Sequence, residues 1–215
     1  MTRAVVIAID GPAAAGKGTL ARRLAAHKGY AYLDTGAIYR AVALKVLTAN
    51  ADPANPEAAV KAAKSLQITD LDNPELRTDR IGAAASALAA FAPVRQVLVA
   101  FQRDFAQKPP NNAPGVVLDG SAIGTVICPD ADLKLYVTAS PQARAHRRFL
   151  ELGQRGEAVQ EADVLSALLQ RDAADANRAA APMRPASDAH LLDTTNLAID
   201  DAFAAVLAIL RRVGI

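Results

Sequence analysis

With 215 residues, 52% of them hydrophobic, the chain is long enough to bury a continuous core as one α/β domain. Its 24 basic and 22 acidic residues leave a net charge of +2, which gives no global pull toward nucleic acid or an anionic membrane. A single cysteine, Cys128, excludes an internal disulfide and a cysteine-built metal cage, and the lack of Trp argues against stacking platforms for single-stranded nucleic acid.

Short apolar runs alternate with longer helical patterns along the chain. The first run, residues 4–10, reads as a strand that breaks at Gly11 and turns into a helix near Lys17, with Leu20 and Leu24 on one face. A strand over 30–34 is followed by a helix over 37–47. The polar stretch 70–79 reads as a surface connection, the alanine-rich stretch 83–92 as helix, and 94–105 as a further helix. Lys108-Pro-Pro-Asn-Asn-Ala-Pro-Gly115 is a loop ahead of a strand at 116–119. Strands at 133–138 and 190–193 flank a helix from Pro141 and a second alanine-rich helical stretch at 173–181. This alternation predicts a five-stranded parallel sheet with helices on both faces. The opening apolar run stops too soon for a signal peptide and no segment has membrane length, so a cytoplasmic protein is expected. His27, His146 and His190 fall in unrelated segments and read as structural or surface residues. Cys128 reads as a small buried apolar residue.

The most informative segment is Gly11-Pro-Ala-Ala-Ala-Gly-Lys-Gly-Thr19, directly behind the first strand. A glycine-flanked loop between a strand and a helix turns its N–H groups inward as an anion site. The helix N-terminus adds partial positive charge, and Lys17 can reach the outer phosphates of a nucleoside triphosphate. In the strict pattern a Ser or Thr hydroxyl follows the lysine and ligates Mg²⁺; here Gly18 intervenes before Thr19. The ion is therefore expected to be held mostly by phosphate and water.

Two further clusters are rich in arginine. Asp34-Thr35-Gly36 opens a helix and reads as its cap, which leaves Arg40, one turn on, available for a phosphate. Arg171, Asp175 and Arg178 are spaced to share one helical face. That face is either a surface ion-pair ladder or an arginine grip on phosphates, with Asp175 free to accept a sugar hydroxyl. Arg144, Arg147, Arg148 and Arg155 lie just before it and favour phosphates.

These segments carry a resemblance. Residues 9–19, Leu33-Asp-Thr-Gly-Ala-Ile-Tyr-Arg40 and Leu76-Arg-Thr78 resemble bacterial cytidylate kinases. So do Ala85-Ser86, Pro93-Val-Arg95, Gln102-Arg103 and Leu118-Asp-Gly120. Further matches are Gly124-Thr-Val-Ile-Cys-Pro-Asp-Ala131, Ala145-His-Arg-Arg148, Arg171-Asp172, Asp175, Arg178, Ala181-Pro182 and Leu192-Asp-Thr-Thr195. The resemblance implies one P-loop nucleoside monophosphate kinase domain over residues 1–215, with short helical segments for the monophosphate and a lid at about 150–180. It implies transfer of the γ-phosphate of ATP, with Mg²⁺, onto CMP or dCMP. Gly11, Gly16, Lys17, Gly18 and Thr19 would cradle ATP, and Asp119 would orient the water around Mg²⁺ near Thr19. Arg40 would hold the CMP phosphate, joined by Arg171 and Arg178; Ser86 and Arg95 match the positions that read the cytosine edge, and Thr35 and Asp175 those near the sugar. Lys17, Arg40, Arg178 and Asp119 would carry the catalysis. A monomer acting in pyrimidine metabolism, without nucleic-acid or membrane partners, is expected.

Two departures stand out. Ser121-Ala122 occupies the place of the family's Arg-Asp, which meets the acceptor phosphate and base. Impaired transfer, altered base preference, or nucleotide binding with little transfer are the alternatives this raises. Residues 67–79 are also too few for the three-stranded insert that many members carry, so helices and a loop are expected on the monophosphate side.

Overall fold

The computed structural model describes residues 3–178 and 181–215, with Asp79 described in its backbone alone. Two compact units divide the chain: residues 1–33 with 108–215, and residues 34–107.

The first unit is built on a parallel sheet. Its strands are β1 (Val5–Asp10), β2 (Ala31–Asp34), β3 (Gly115–Gly120), β4 (Leu133–Thr138) and β5 (His190–Asp193), in the order β2-β3-β1-β4-β5. β1 is central and almost wholly apolar, as a strand covered on both faces must be. Ile7, Ile9, Val117, Leu135 and Val137 pack on one face against Leu20 and Leu24 of α1 (Lys17–Lys28). Phe203, Val206 and Leu210 of the C-terminal helix, Ile199–Val213, complete this core. That helix carries Asp200 and Asp201 in its first turn and Arg211 and Arg212 in its last, both favourable to its dipole.

The second unit is helical: α2 (Thr35–Thr48), α3 (Pro56–Lys64), α4 (Asp79–Leu88) and α5 (Ala92–Gln107). The Asp34 side chain accepts from the Ala37 N–H and starts α2; Asn55 caps α3, with Pro56 at its first position. Ile38, Val42, Leu88 and Leu98 are fully buried within it. Between α3 and α4 run two 3₁₀ turns, Ile68–Asp72 and Pro74–Arg77, where a polar connection is expected. No strand occurs there, as the short spacing requires.

α6 (Pro141–Gln154) and α7 (Glu161–Ala176) return to the first unit and pair through Ala145, Leu152, Val164 and Leu168, with Ala13 and Ala14 of the phosphate loop packed on the same cluster. The C-terminal helix is α8. All five strands lie where the apolar runs place them, to within a residue at each end.

Both alanine-rich stretches are less helical than expected. α4 stops at Leu88, where the Ala90 and Phe91 N–H groups turn to the carbonyl oxygens of Ala87 and Leu88, three residues back, and a turn intervenes before α5. α7 stops at Ala176, where the Asn177 side chain donates to the Ala173 carbonyl oxygen at 2.9 Å. Arg178 therefore lies beyond the helix, and residues 179–180 of the expected stretch lie outside the described residues. Cys128 is buried, and among the described residues no single helix is long and apolar enough to cross a membrane.

Candidate active site

The loop after β1 is shaped by two positions that require glycine. At Gly11, with φ +142°, a Cβ would sit 1.9 Å from the Val137 carbonyl oxygen of β4. Gly16, with φ +90°, is the N-cap of α1 and supplies no side-chain cap. The first amides of α1 thus meet no capping side chain, which suits them to an anion. Ala14, also at positive φ (60°), is held in a conformation that costs a non-glycine residue about 1–3 kcal/mol. Its packing against α6 and α7 helps to hold it there. The Lys17 ammonium donates to the Pro12 carbonyl oxygen at 2.9 Å and so lies back over the loop.

Two buried carboxylates flank this loop. Asp10, 3% exposed, accepts from the Ile123 and Gly124 N–H groups at 2.6 and 2.7 Å. Burial raises its pKa, although those two hydrogen bonds and Lys17 oppose the rise. Asp119, at the end of β3, accepts from the Tyr32 hydroxyl at 2.8 Å, and its other oxygen lies 3.4 Å from where a Gly18 Cβ would stand. The carboxylate predicted to orient the metal's water is thus beside the first turn of α1. Thr19 is exposed in that turn.

An open cleft of about 640 Å³ runs along this turn, lined by Gly16, Lys17 and Thr19, by Arg147 and Arg148 of α6, and by Thr194 after β5. Arg147 donates to the Thr194 carbonyl oxygen at 2.5 Å and to its hydroxyl oxygen at 3.1 Å. That hydroxyl lies 3.1 Å from the Ala15 and Thr138 carbonyl oxygens and ties β5 to the phosphate loop.

The ion-pair ladder runs from Arg171 and Asp175 on α7 to Arg178 just beyond the helix, and its centre is not solvated. Asp175 is 6% exposed, pairs with Arg178, and faces the Arg171 Nε at 3.8 Å. Both arginines are exposed, at 60% and 45%. One buried carboxylate therefore stands beside two accessible guanidinium groups.

Thr35, Arg40, Ser86 and Arg95 all belong to the second unit. Thr35 is buried at the start of α2 and Arg40 is half-buried further along it. The Ser86 hydroxyl donates back to the Gly82 carbonyl oxygen at 3.1 Å, the ordinary local bond of a helical serine. Arg95 donates to the carbonyl oxygens of Ala89 and Ala90 at 2.7 and 2.8 Å and closes the end of α4. Ser121 and Ala122 lie in the first unit, after β3. Ala122 is 8% exposed, and its carbonyl oxygen accepts from Val126 and Ile127 in a π-helical turn, Ile123–Ile127.

Sequence reasoning passed over three residues here. Asp10 was visible as an acid ending an apolar strand, Arg144 only as one of several arginines, and Thr194 only within a matched run. Their roles depend on partners more than a hundred residues away for Asp10 and Arg144, and for Thr194 on Ala15.

Comparison with known proteins agrees across nearly the whole chain. A family model for cytidylate kinase matches residues 7–212. A cytidylate kinase of Afipia carboxidovorans is 53% identical over 97% of this chain and 98% of its own length. One of Methylocella silvestris is 55% identical over 96% and 94%. Among solved structures, an uncharacterized Eubacterium ventriosum protein superposes with a TM-score of 0.55 at 12% identity, covering 96% of this chain and 98% of its own. A Thermus thermophilus protein gives 0.50 at 19%, covering 98% of both. These two likenesses speak for the fold. The sequence matches establish more: this chain belongs to the cytidylate kinase family.

Proposed function

We propose that the protein is an ATP-dependent kinase that phosphorylates CMP and dCMP to the diphosphates, with the two units acting as one domain. The observation that carries this reading is the pairing of an anion-shaped loop with a separate set of arginines. The loop shaped by Gly11 and Gly16, with Lys17, fits a triphosphate along the open cleft, while the exposed Arg171 and Arg178 beside Asp175 suit a second, smaller phosphate. Two anion sites in one chain are what transfer between two nucleotides needs.

An oxygen of the acceptor phosphate attacks the γ-phosphorus in line. The new P–O bond forms as the bond to the β-phosphate bridging oxygen breaks, and its electron pair leaves with ADP. The attacking oxygen is already anionic near neutral pH, so no general base is required. Catalysis then rests on positioning and charge neutralisation. Lys17 and the N–H groups at the start of α1 neutralise the donor phosphates; Arg40, Arg171 and Arg178 hold the acceptor. Ser86 and Arg95 read the cytosine edge, and Thr35 and Asp175 lie near the sugar. Mg²⁺, bound with ATP, would supply positive charge at the transferring group. Asp119 and Thr19 fit its water shell, because an oxygen of Asp119 stands beside Gly18 and Thr19 is exposed in the cleft.

The test is ADP release from ATP with CMP, dCMP and UMP as acceptors. Fast release with both cytidine monophosphates and slow release with UMP is expected. ATP binding without CMP-stimulated release would defeat the reading.

A further inference from the structure

We propose that Arg144 is a positioning residue that couples occupancy of the phosphate loop to Arg171 on α7 and Arg178 just beyond it. This rests on the reading above, in which Arg171 and Arg178 grip the acceptor phosphate.

Arg144 is 3% exposed and spends its guanidinium on three separate segments. Its Nε donates to the Ala139 carbonyl oxygen at 3.0 Å, at the end of β4. One terminal nitrogen donates to the Ala13 carbonyl oxygen at 3.2 Å, inside the phosphate loop. The other donates to the Asp172 Oδ2 at 2.6 Å on α7. Asp172 follows Arg171 directly and lies one turn before Asp175, which pairs with Arg178. A single planar fork therefore joins the loop to the helix that aims the lid arginines. A lysine, with one nitrogen, cannot hold the same fork geometry.

Two further observations point the same way. Ala13 and Ala14 pack on the apolar cluster that joins α6 to α7, so the loop and the lid helices share side-chain contacts as well as hydrogen bonds. The second oxygen of Asp172 is buried without a hydrogen-bond partner. A buried acceptor left unsatisfied is costly, so among the described residues this oxygen keeps bonding capacity that a small movement of α7 can use. A shift of the Ala13 carbonyl on phosphate binding would be felt through Arg144 at Asp172, and α7 would re-seat.

The test is CMP affinity by calorimetry with and without a non-hydrolysable ATP analogue, in the parent, Asp172→Asn and Arg144→Lys. In the parent, the analogue tightens CMP binding. In both variants that tightening falls by about fivefold or more, a typical size for lost coupling, while the KM for ATP changes little and kcat drops. Lower melting temperatures with unchanged tightening would reduce Arg144 to a structural strut and overturn the proposal. Hydrogen exchange on the parent gives a readout independent of any variant's folding: the analogue alone should protect α7 amides, and unaltered α7 exchange contradicts the coupling. Arg178→Met separates the two levels. If it leaves turnover intact, the lid reading itself fails; if it cripples turnover while Asp172→Asn keeps the tightening, only the role of Arg144 fails.

Discussion

The two units hold their functional residues by different means. In the first, charged and polar side chains near the phosphate loop are buried and fixed by distant partners: Asp10 by the π-helical turn, Arg144 by loop and α7, Thr194 by Ala15 and Thr138. In the second, Ser86 and Arg95 are satisfied within a few residues of themselves, at Gly82 and at Ala89 and Ala90. Among the described residues, its buried polar side chains are Thr35 and Gln102 alone. A site for a triphosphate gains from amides and charges fixed in advance, since reorganising them would cost part of the binding energy. Local bonds of the kind Ser86 and Arg95 make can be exchanged for a ligand at small cost. Substitutions in the first unit should therefore disturb fold and chemistry together, and those in the second chemistry alone.

The largest effect is expected at Lys17. Lys17→Met should lower kcat by roughly 10³-fold, as loss of a preorganised charge on the transferring group does, with CMP affinity little changed. Single-turnover kinetics and CMP titration check both halves. Gly11→Ala tests the coupling of fold to site: the new Cβ would collide with the Val137 carbonyl, so a loss of more than about 3 kcal/mol is expected by denaturant unfolding, with ATP binding lost as well. A stable, ATP-binding Gly11→Ala protein would break the comparison.

Changes on the acceptor side are smaller. Ser86→Ala should raise the KM for CMP about tenfold, from loss of one hydrogen bond to the base, and leave stability within about 0.5 kcal/mol. Ser121→Arg should raise turnover with CMP by about tenfold, by adding a charge-assisted bond to the acceptor phosphate. Ala122→Asp is the poorer half of that restoration, because Ala122 is buried and a carboxylate there would have to be desolvated.

The smallest effect concerns pH. The folded pKa of Asp10 lies above the ordinary 3.8, so between that value and its raised one the native state binds more protons than the unfolded chain. Its contribution to stability accordingly falls as pH rises through that window. Asp10→Asn should remove this slope from the stability curve, measured by urea unfolding at several acidic pH values; an unchanged slope would assign it to another group.

Much of the fold was legible because a parallel strand buried on both faces leaves an unmistakable apolar run, as at β1 and β3. Helix ends were less so. The stop of α7 at Ala176 depends on Asn177 folding back on Ala173, and alanine on both sides gives no periodicity to mark it. The phosphate loop was readable since its glycines are required by backbone geometry. Residues such as Asp10 and Arg144 were not, because their significance comes from segments that the fold alone brings near.

Transfer of label from γ-³²P-ATP tests the central claim most directly. With CMP present, the account predicts that the label appears in CDP, depends on Lys17 and exceeds any label released as inorganic phosphate. Label that stays in ATP, or passes only to water, would contradict it.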